Sequence, residues 1–163
     1  LDFLYRDIGI ERLKIKIQRL LPPRNIAVQY GCHALRPFSI TGFDNPFFPT
    51  IFEQLLGLTG VNPIDWSKRT ECCGDPIHDG QPELSGKILA DKLASAQSEG
   101  ADYICSACTH CQIQYERINE NQSETGIRDH TVRSLLFTQI LGAALGIPEK
   151  ELSGRRRLPS DFF

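Results

Sequence analysis

The sequence predicts an α/β fold, a small and mostly parallel sheet flanked by helices, with cysteine-bearing loops converging at one edge. Two observations carry that expectation. Segments with apolar residues at helical spacing alternate with short apolar runs of strand length, the pattern of strand–helix–strand units. The cysteines follow the same rhythm: Cys32, the adjacent Cys72 and Cys73, and the group Cys105, Cys108 and Cys111 each come at or just after a strand-like run. Sites in open parallel sheets form where loops leave the carboxyl ends of strands, so three loops are expected to bring five or six sulfurs together.

The elements follow in order. Ile10, Leu13, Ile17, Leu20 and Leu21 recur at helical spacing until Pro22 and Pro23 end the pattern, making residues 1–24 an amphipathic helix and lead-in. "NIAVQYGC" is a buried strand closed by Gly31, with Cys32 just beyond it. Residues 36–49, rich in Pro, Gly and Asp, are expected to loop into a short helix carrying Phe52, Leu55 and Leu56, ended by Gly57 or Gly60. "VNPIDW" is a strand that Pro63 confines to an edge or to its first residues. "QPELSGKILADKLASAQSEG" is a helix with Pro82 near its first turn, Leu84, Ile88, Leu89 and Leu93 on one face, and Gly100 at its C-terminal cap. "ADYIC" is a third strand, and the latter half of "CSACTHCQIQYERINE" is helical. After a polar loop, "HTVRSLLFTQILGAALG" is one apolar helix stopped by Gly146 and Pro148. Residues 150–163 form a tail; its Arg155, Arg156 and Arg157 are solvated, and Phe162 and Phe163 are available to a partner.

Composition bounds the function. At 163 residues, 40% hydrophobic and 23% charged, residues 1–163 suffice for a single domain with one core. A net charge of −2 with interspersed signs leaves no broad basic surface, which argues against a nucleic-acid partner. The N-terminus is studded with charges, and no window approaches the ~18 apolar residues of a membrane span. A soluble, cytoplasmic protein is expected. The chain begins with Leu1 rather than Met, as a fragment, processed product or trimmed chain would. "GLTG" and "GAALG" lack the strand–turn–helix context of a dinucleotide site.

Cysteine placement narrows the chemistry further. A disulfide between neighbours such as Cys72 and Cys73 is strained and closes almost no loop. Thiolates are the soft ligands that zinc and iron prefer, and Cys108-Thr109-His110-Cys111 is a C-x-x-C at the start of a helix, where the thiolate is favoured. Adjacent side chains diverge, which suits different atoms of a polynuclear cluster better than one small ion. Gly74, after the pair, leaves room for a close backbone approach. Cys105 is read as a packed thiol, a spare ligand or an adventitious disulfide partner. Of the histidines, His33 adjoins a candidate ligand, His110 lies inside the C-x-x-C, and His78 follows the cysteine pair near Asp75 and Asp79. Each has the chemistry to protonate a leaving thiolate, and His33 is the preferred candidate.

Together, "QYGCHALRP", "ECCG" and "ADYICSACTHCQIQYE" resemble the cysteine-rich CCG domain, with 39 residues between Cys32 and Cys72 and 33 between Gly74 and Cys108. "LRPFSITGFDNPFFP", "GKILADKLASAQSEGAD" and "LLFTQILGAALGI" extend the likeness over almost the whole chain, which is most similar to the second CCG domain of the heterodisulfide reductase B subunit. The resemblance implies an iron-sulfur oxidoreductase component in which Cys32, Cys72, Cys73, Cys108 and Cys111 hold a noncubane 4Fe-4S cluster. It also implies a ferredoxin-type electron-donating subunit, further subunits of a reductase complex, and a thiol or disulfide substrate cleaved by one-electron transfers. Relatives in lactate, glycerol-3-phosphate and succinate oxidation use such domains chiefly for electron transfer. The family's B subunit carries two CCG motifs that face one another, whereas this chain has one. It is then either the C-terminal half of a longer subunit or a stand-alone protein that pairs with another chain. Two other readings stay open: a zinc-bound docking module of a redox complex, and a metal-free thiol oxidoreductase using Cys108 and Cys111.

Overall fold

The computed structural model describes residues 1–120, 132–152, 159 and 162. Four strands, β1 (Asn25–Gln29), β2 (Asn62–Ile64), β3 (Tyr103–Ser106) and β4 (Arg133–Leu136), form one parallel sheet in the order β2-β1-β3-β4. Ala27 of β1 pairs with Ile64 on one side and Ile104 on the other, and Cys105 of β3 pairs with Val28 and Leu135. Parallel strands need crossovers, and helices supply them.

Both faces of the sheet are covered, and strand alternation sorts the core into two halves. Ile26, Val28, Tyr30, Tyr103, Cys105 and Leu135 point to the larger half, together with Leu13 of α1 (Ile10–Lys16), Phe52, Leu55 and Leu56 of α4 (Ile51–Gly57), and Phe137 and Ile140 of α7 (Phe137–Ala144). Ala27 and Ile104 point to the smaller half, with Trp66, with Leu89, Leu93 and Ala96 of α5 (Pro82–Ser98), and with Tyr115 of α6 (Thr109–Glu120). Three one-turn helices complete the order: α2 (Cys32–Leu35), α3 (Phe38–Thr41) and α8 (Glu149–Leu152).

The α/β class, the three expected strands and the helices α4, α5 and α6 are as the sequence predicts, and Pro63 lies on the edge strand. Five details differ. The first helix ends at Lys16, following a π-helical turn Leu4–Ile8 and Gly9 at φ +86°. Beyond it the backbone amides of Gln18 and Arg19 donate to Ala144 O and that of Leu21 to Thr59 O, so bonds to neighbouring elements replace helical ones. Leu20 is left exposed while Leu21 is buried. The 36–49 loop contains the α3 turn. In α5 the buried face is Ser85, Leu89, Lys92, Leu93 and Ala96, and Leu84 is exposed. The last apolar segment is a strand followed by a helix: Leu136 is extended, its amide donates to Gln139 Oε1 at 3.0 Å, and α7 starts only at Phe137. Finally, Phe162 of the tail is not offered to a partner. It is 1% exposed and stacks edge-on against Tyr103 at 5.2 Å. The polar loop, the arginines 155–157 and Phe163 lie outside the described residues.

Candidate functional site

All the predicted ligands meet at the carboxyl edge of the sheet. Cys32 begins α2 one residue beyond Gly31, which follows the extended end of β1. Cys108 and Cys111 flank the start of α6, where Ser106 closes the turn out of β3: its Oγ accepts from the Cys108 amide at 3.1 Å and donates to the Cys108 carbonyl at 3.0 Å. Cys72 and Cys73 come from the long loop after β2 and diverge as adjacent side chains do, Cys72 exposed and Cys73 buried. All six cysteines are free thiols.

The β2 loop is held from several sides. Gly74 takes the left-handed conformation, φ +88°, and its amide donates to Cys72 Sγ at 3.4 Å. Its carbonyl accepts from Ser85 Oγ of α5 at 2.9 Å, and Ser85 Oγ in turn accepts from Gln114 Nε2 of α6 at 2.7 Å. Asp75 opens a 3-10 turn, Asp75–Ile77, and binds α6 twice, to Arg117 Nη1 at 2.6 Å and His110 Nδ1 at 3.0 Å. Beneath the cysteines, Lys92 Nζ donates to the carbonyls of Lys68, 2.5 Å, and Glu71, 3.1 Å. Gln29 Nε2 also donates to Glu71 O at 3.0 Å, while Gln29 Oε1 accepts from Tyr115 OH at 3.0 Å.

Cys32, Cys73, Cys108 and Cys111 line an open cavity of about 720 Å³, together with His33, His110, Thr41, Phe43 and Pro76. Cys72 adjoins it through contact with Cys32. Burial, with Cys72 and Cys73 nearby, pushes the Cys32 thiol up. Cys73 and Cys111 share a hydrogen bond that lowers the first thiol and raises the second. Cys111 also contacts Cys108. The five thiols thus form two touching groups. No three His, Cys, Asp or Glu side chains among the described residues surround a point as they would a single ion.

Of the other candidates, Cys105 is fully buried in the larger core and stays out of the cavity, its thiol pushed up by burial alone. His33 and His110 are exposed at the cavity, whereas His78 only closes the 3-10 turn. Sequence reasoning missed Lys92, Ser85, Gln114 and Arg117. One of them left a signal: Lys92 sits between Leu89 and Leu93 on the apolar face of α5, where lysine is rarely fully buried.

A parallel α/β domain with thiols from three loops gathered over one cavity is a cysteine-rich site module. Residues 26–116 match the family described as the cysteine-rich (CCG) domain, and the chain belongs to that family. It is 32% identical over 154 residues to the B subunit of the ferredoxin/F(420)H(2)-dependent CoB-CoM heterodisulfide reductase of Methanosarcina acetivorans, covering 93% of this chain and 51% of that one. It is 34% identical over 146 residues to the 8-methylmenaquinol:fumarate reductase membrane anchor subunit of Wolinella succinogenes, 88% and 51% of the two chains. A protein of Archaeoglobus profundus described as like the heterodisulfide reductase B subunit is 30% identical over 162 residues, 97% and 54%. The chain spans about half the length of these curated relatives. Among the described residues no helix is long and apolar enough to cross a membrane.

Proposed function

We propose that this chain is the iron-sulfur redox half of a heterodisulfide-reductase-like subunit, with Cys32, Cys72, Cys73, Cys108 and Cys111 holding a noncubane 4Fe-4S cluster. The observation that carries the reading is the convergence of free thiols from three loops at one cavity, four lining it and Cys72 adjoining it through Cys32. The donor set fits the group: thiolates are the usual ligands of iron-sulfur clusters, and the divergent Cys72 and Cys73 suit separate atoms of a polynuclear assembly. The names of the relatives support a place in a multi-subunit reductase, with a ferredoxin-type chain as electron source. Free thiols in this number suit a reducing, cytoplasmic setting.

When bound, the cluster supplies one-electron steps. Reduction of a disulfide takes two electrons and two protons and gives two thiols. The cavity's apolar wall, Phe43, Pro76 and Ala34, receives the carbon skeleton of such a substrate, and His33 at the mouth is placed to give a proton to a departing thiolate. We read the chain as the second CCG domain of a two-domain subunit, the other domain supplying the opposite wall; its span of about half the length of its relatives leaves room for such a domain.

Iron, acid-labile sulfide and zinc analysis of anaerobically purified protein, beside Cys73→Ser, tests the reading. About four irons and four sulfides, lost in the variant, are expected. One zinc and no sulfide after anaerobic reconstitution would replace it with a zinc-bound docking module.

A further inference from the structure

The least expected group near the thiols is a cation. Lys92 is 1% exposed, in the middle of the smaller core. Its neighbours Leu89, Leu93 and Ala96 are apolar, and none of the ion pairs among the described residues includes it. What receives the ammonium is neutral: the Lys68 and Glu71 carbonyls, and the face of Trp66 at 5.0 Å. Trp66 is itself pinned to the sheet by a 2.6 Å bond from Nε1 to Val28 O. A buried charge is costly unless opposite charge compensates it, and an apolar side chain would fill the same space without that cost. The nearby groups able to carry compensating charge include the Cys73 thiol, which the Cys111 hydrogen bond lowers, and the Glu71 carboxylate.

We propose that Lys92 is a positioning residue for the redox site: its ammonium fixes the adjacent-cysteine loop through the carbonyls of Lys68 and Glu71, and its charge behind Cys73 and Cys111 stabilises the more negative, reduced state of the group those thiolates hold. The second half of the inference rests on the iron-sulfur reading; the first does not. Fixing the carbonyl of Glu71 sets where the chain enters Cys72. A charge held in a low-dielectric core acts on the site more strongly than one at the surface.

Three variants separate the roles. Lys92→Met removes both charge and donor, Lys92→Gln keeps a donor without charge, and Lys92→Arg keeps the charge. In iron-loaded protein, the reduction potential is expected to fall in Lys92→Met and Lys92→Gln by at least the 59 mV that corresponds to a tenfold change in a one-electron equilibrium, and to stay near the native value in Lys92→Arg. In iron-free protein, amide hydrogen exchange across residues 66–74 is expected to quicken about tenfold in Lys92→Met, consistent with loss of the loop's anchors. Fluorescence of Trp66, the one tryptophan of the chain, reports whether its surroundings stay native. Unchanged potentials in all three variants would overturn the electrostatic role, and unchanged exchange would overturn the positioning role. Native protein that takes up no iron defeats the iron-sulfur reading and with it the electrostatic role, leaving exchange to decide the other.

Discussion

Gly31 lies against Cys108 so closely that a methyl group on its Cα would sit 3.0 Å from Cys108 Cβ and 3.7 Å from Cys108 Sγ. The end of β1 and the turn after β3 are therefore packed backbone to side chain, which brings the loop of Cys32 beside the C-x-x-C. Gly31 has an ordinary backbone conformation, φ −62°, so alanine is opposed there by contact alone. Gly31→Ala is expected to destabilise the protein by about 1–3 kcal/mol and to lower iron retained per chain after reconstitution. Native-like urea unfolding together with full iron uptake would show that the two loops are not locked by this contact.

The cysteines divide into four that line one cavity, with Cys72 adjoining it through Cys32, and Cys105, which stays out of it. Cys105→Ala removes a sulfur from the larger core, and a loss of roughly 1–2 kcal/mol is expected from the cavity it leaves. Iron and sulfide content should be unchanged. Cys111→Ser should reverse the pattern, with iron lost and the fold kept. Iron loss in Cys105→Ala at native-like secondary structure would make Cys105 part of the site.

Much of this arrangement was legible in the sequence, and the exceptions have physical causes. Cys32, Cys72, Cys73, Cys108 and Cys111 were predicted to converge because each follows a strand-like run, and parallel strands deliver their loops to one edge. β4 was hidden because Ser134, Leu135 and Leu136 merge with Phe137, Ile140 and Leu141 into one apolar stretch; the switch from strand to helix lies in the Leu136 backbone and the Gln139 cap, not in hydropathy. The first helix was overread because a periodic pattern cannot show that the amides of Gln18 and Arg19 are claimed by Ala144, over a hundred residues away. Phe162 looked like a free end because its partner Tyr103 is also remote in sequence. The polar network under the thiols, from Gly74 through Ser85 to Gln114, joins three segments and leaves no local spacing to detect.

Asp75 ties the turn after Cys73 to α6 through two partners, and its carboxylate is mostly buried, 11% exposed. Asp75→Asn and Arg117→Ala are each expected to cost about 1–3 kcal/mol, since each leaves a charged hydrogen-bonding partner under-satisfied. The double variant should lose less than the combined single costs, with a coupling of about 0.5–3 kcal/mol in urea unfolding. Additive losses would mean that Asp75 and Arg117 act independently and that their ion pair does not fix α6.

The buried ammonium of Lys92 has a consequence for pH. Burial pushes Lys92 down to about 8 from the ordinary lysine value of 10.5, against the opposing pull of Glu71, Cys73 and Cys111 and with a small push in the same direction from Lys68. It is still charged at pH 7. Between about 8 and 10.5 the unfolded chain holds a proton on this lysine that the folded chain has released, so unfolding takes up protons and stability rises with pH across that window. Below it the full penalty is present, and above it the penalty is gone. Because Cys73 and Cys111 act electrostatically on Lys92, the measurement belongs in iron-free protein carrying Cys73→Ser and Cys111→Ser. The stability advantage of Lys92→Met over Lys92 in that background should shrink by on the order of 2–3 kcal/mol from pH 7 to pH 10.5, riding on a constant offset from the two carbonyls that methionine leaves unpaired. A difference that stays flat across the window would show that folding does not shift the ionisation of Lys92, with the carbonyls of Lys68 and Glu71 and the face of Trp66 replacing the solvation that the ammonium loses.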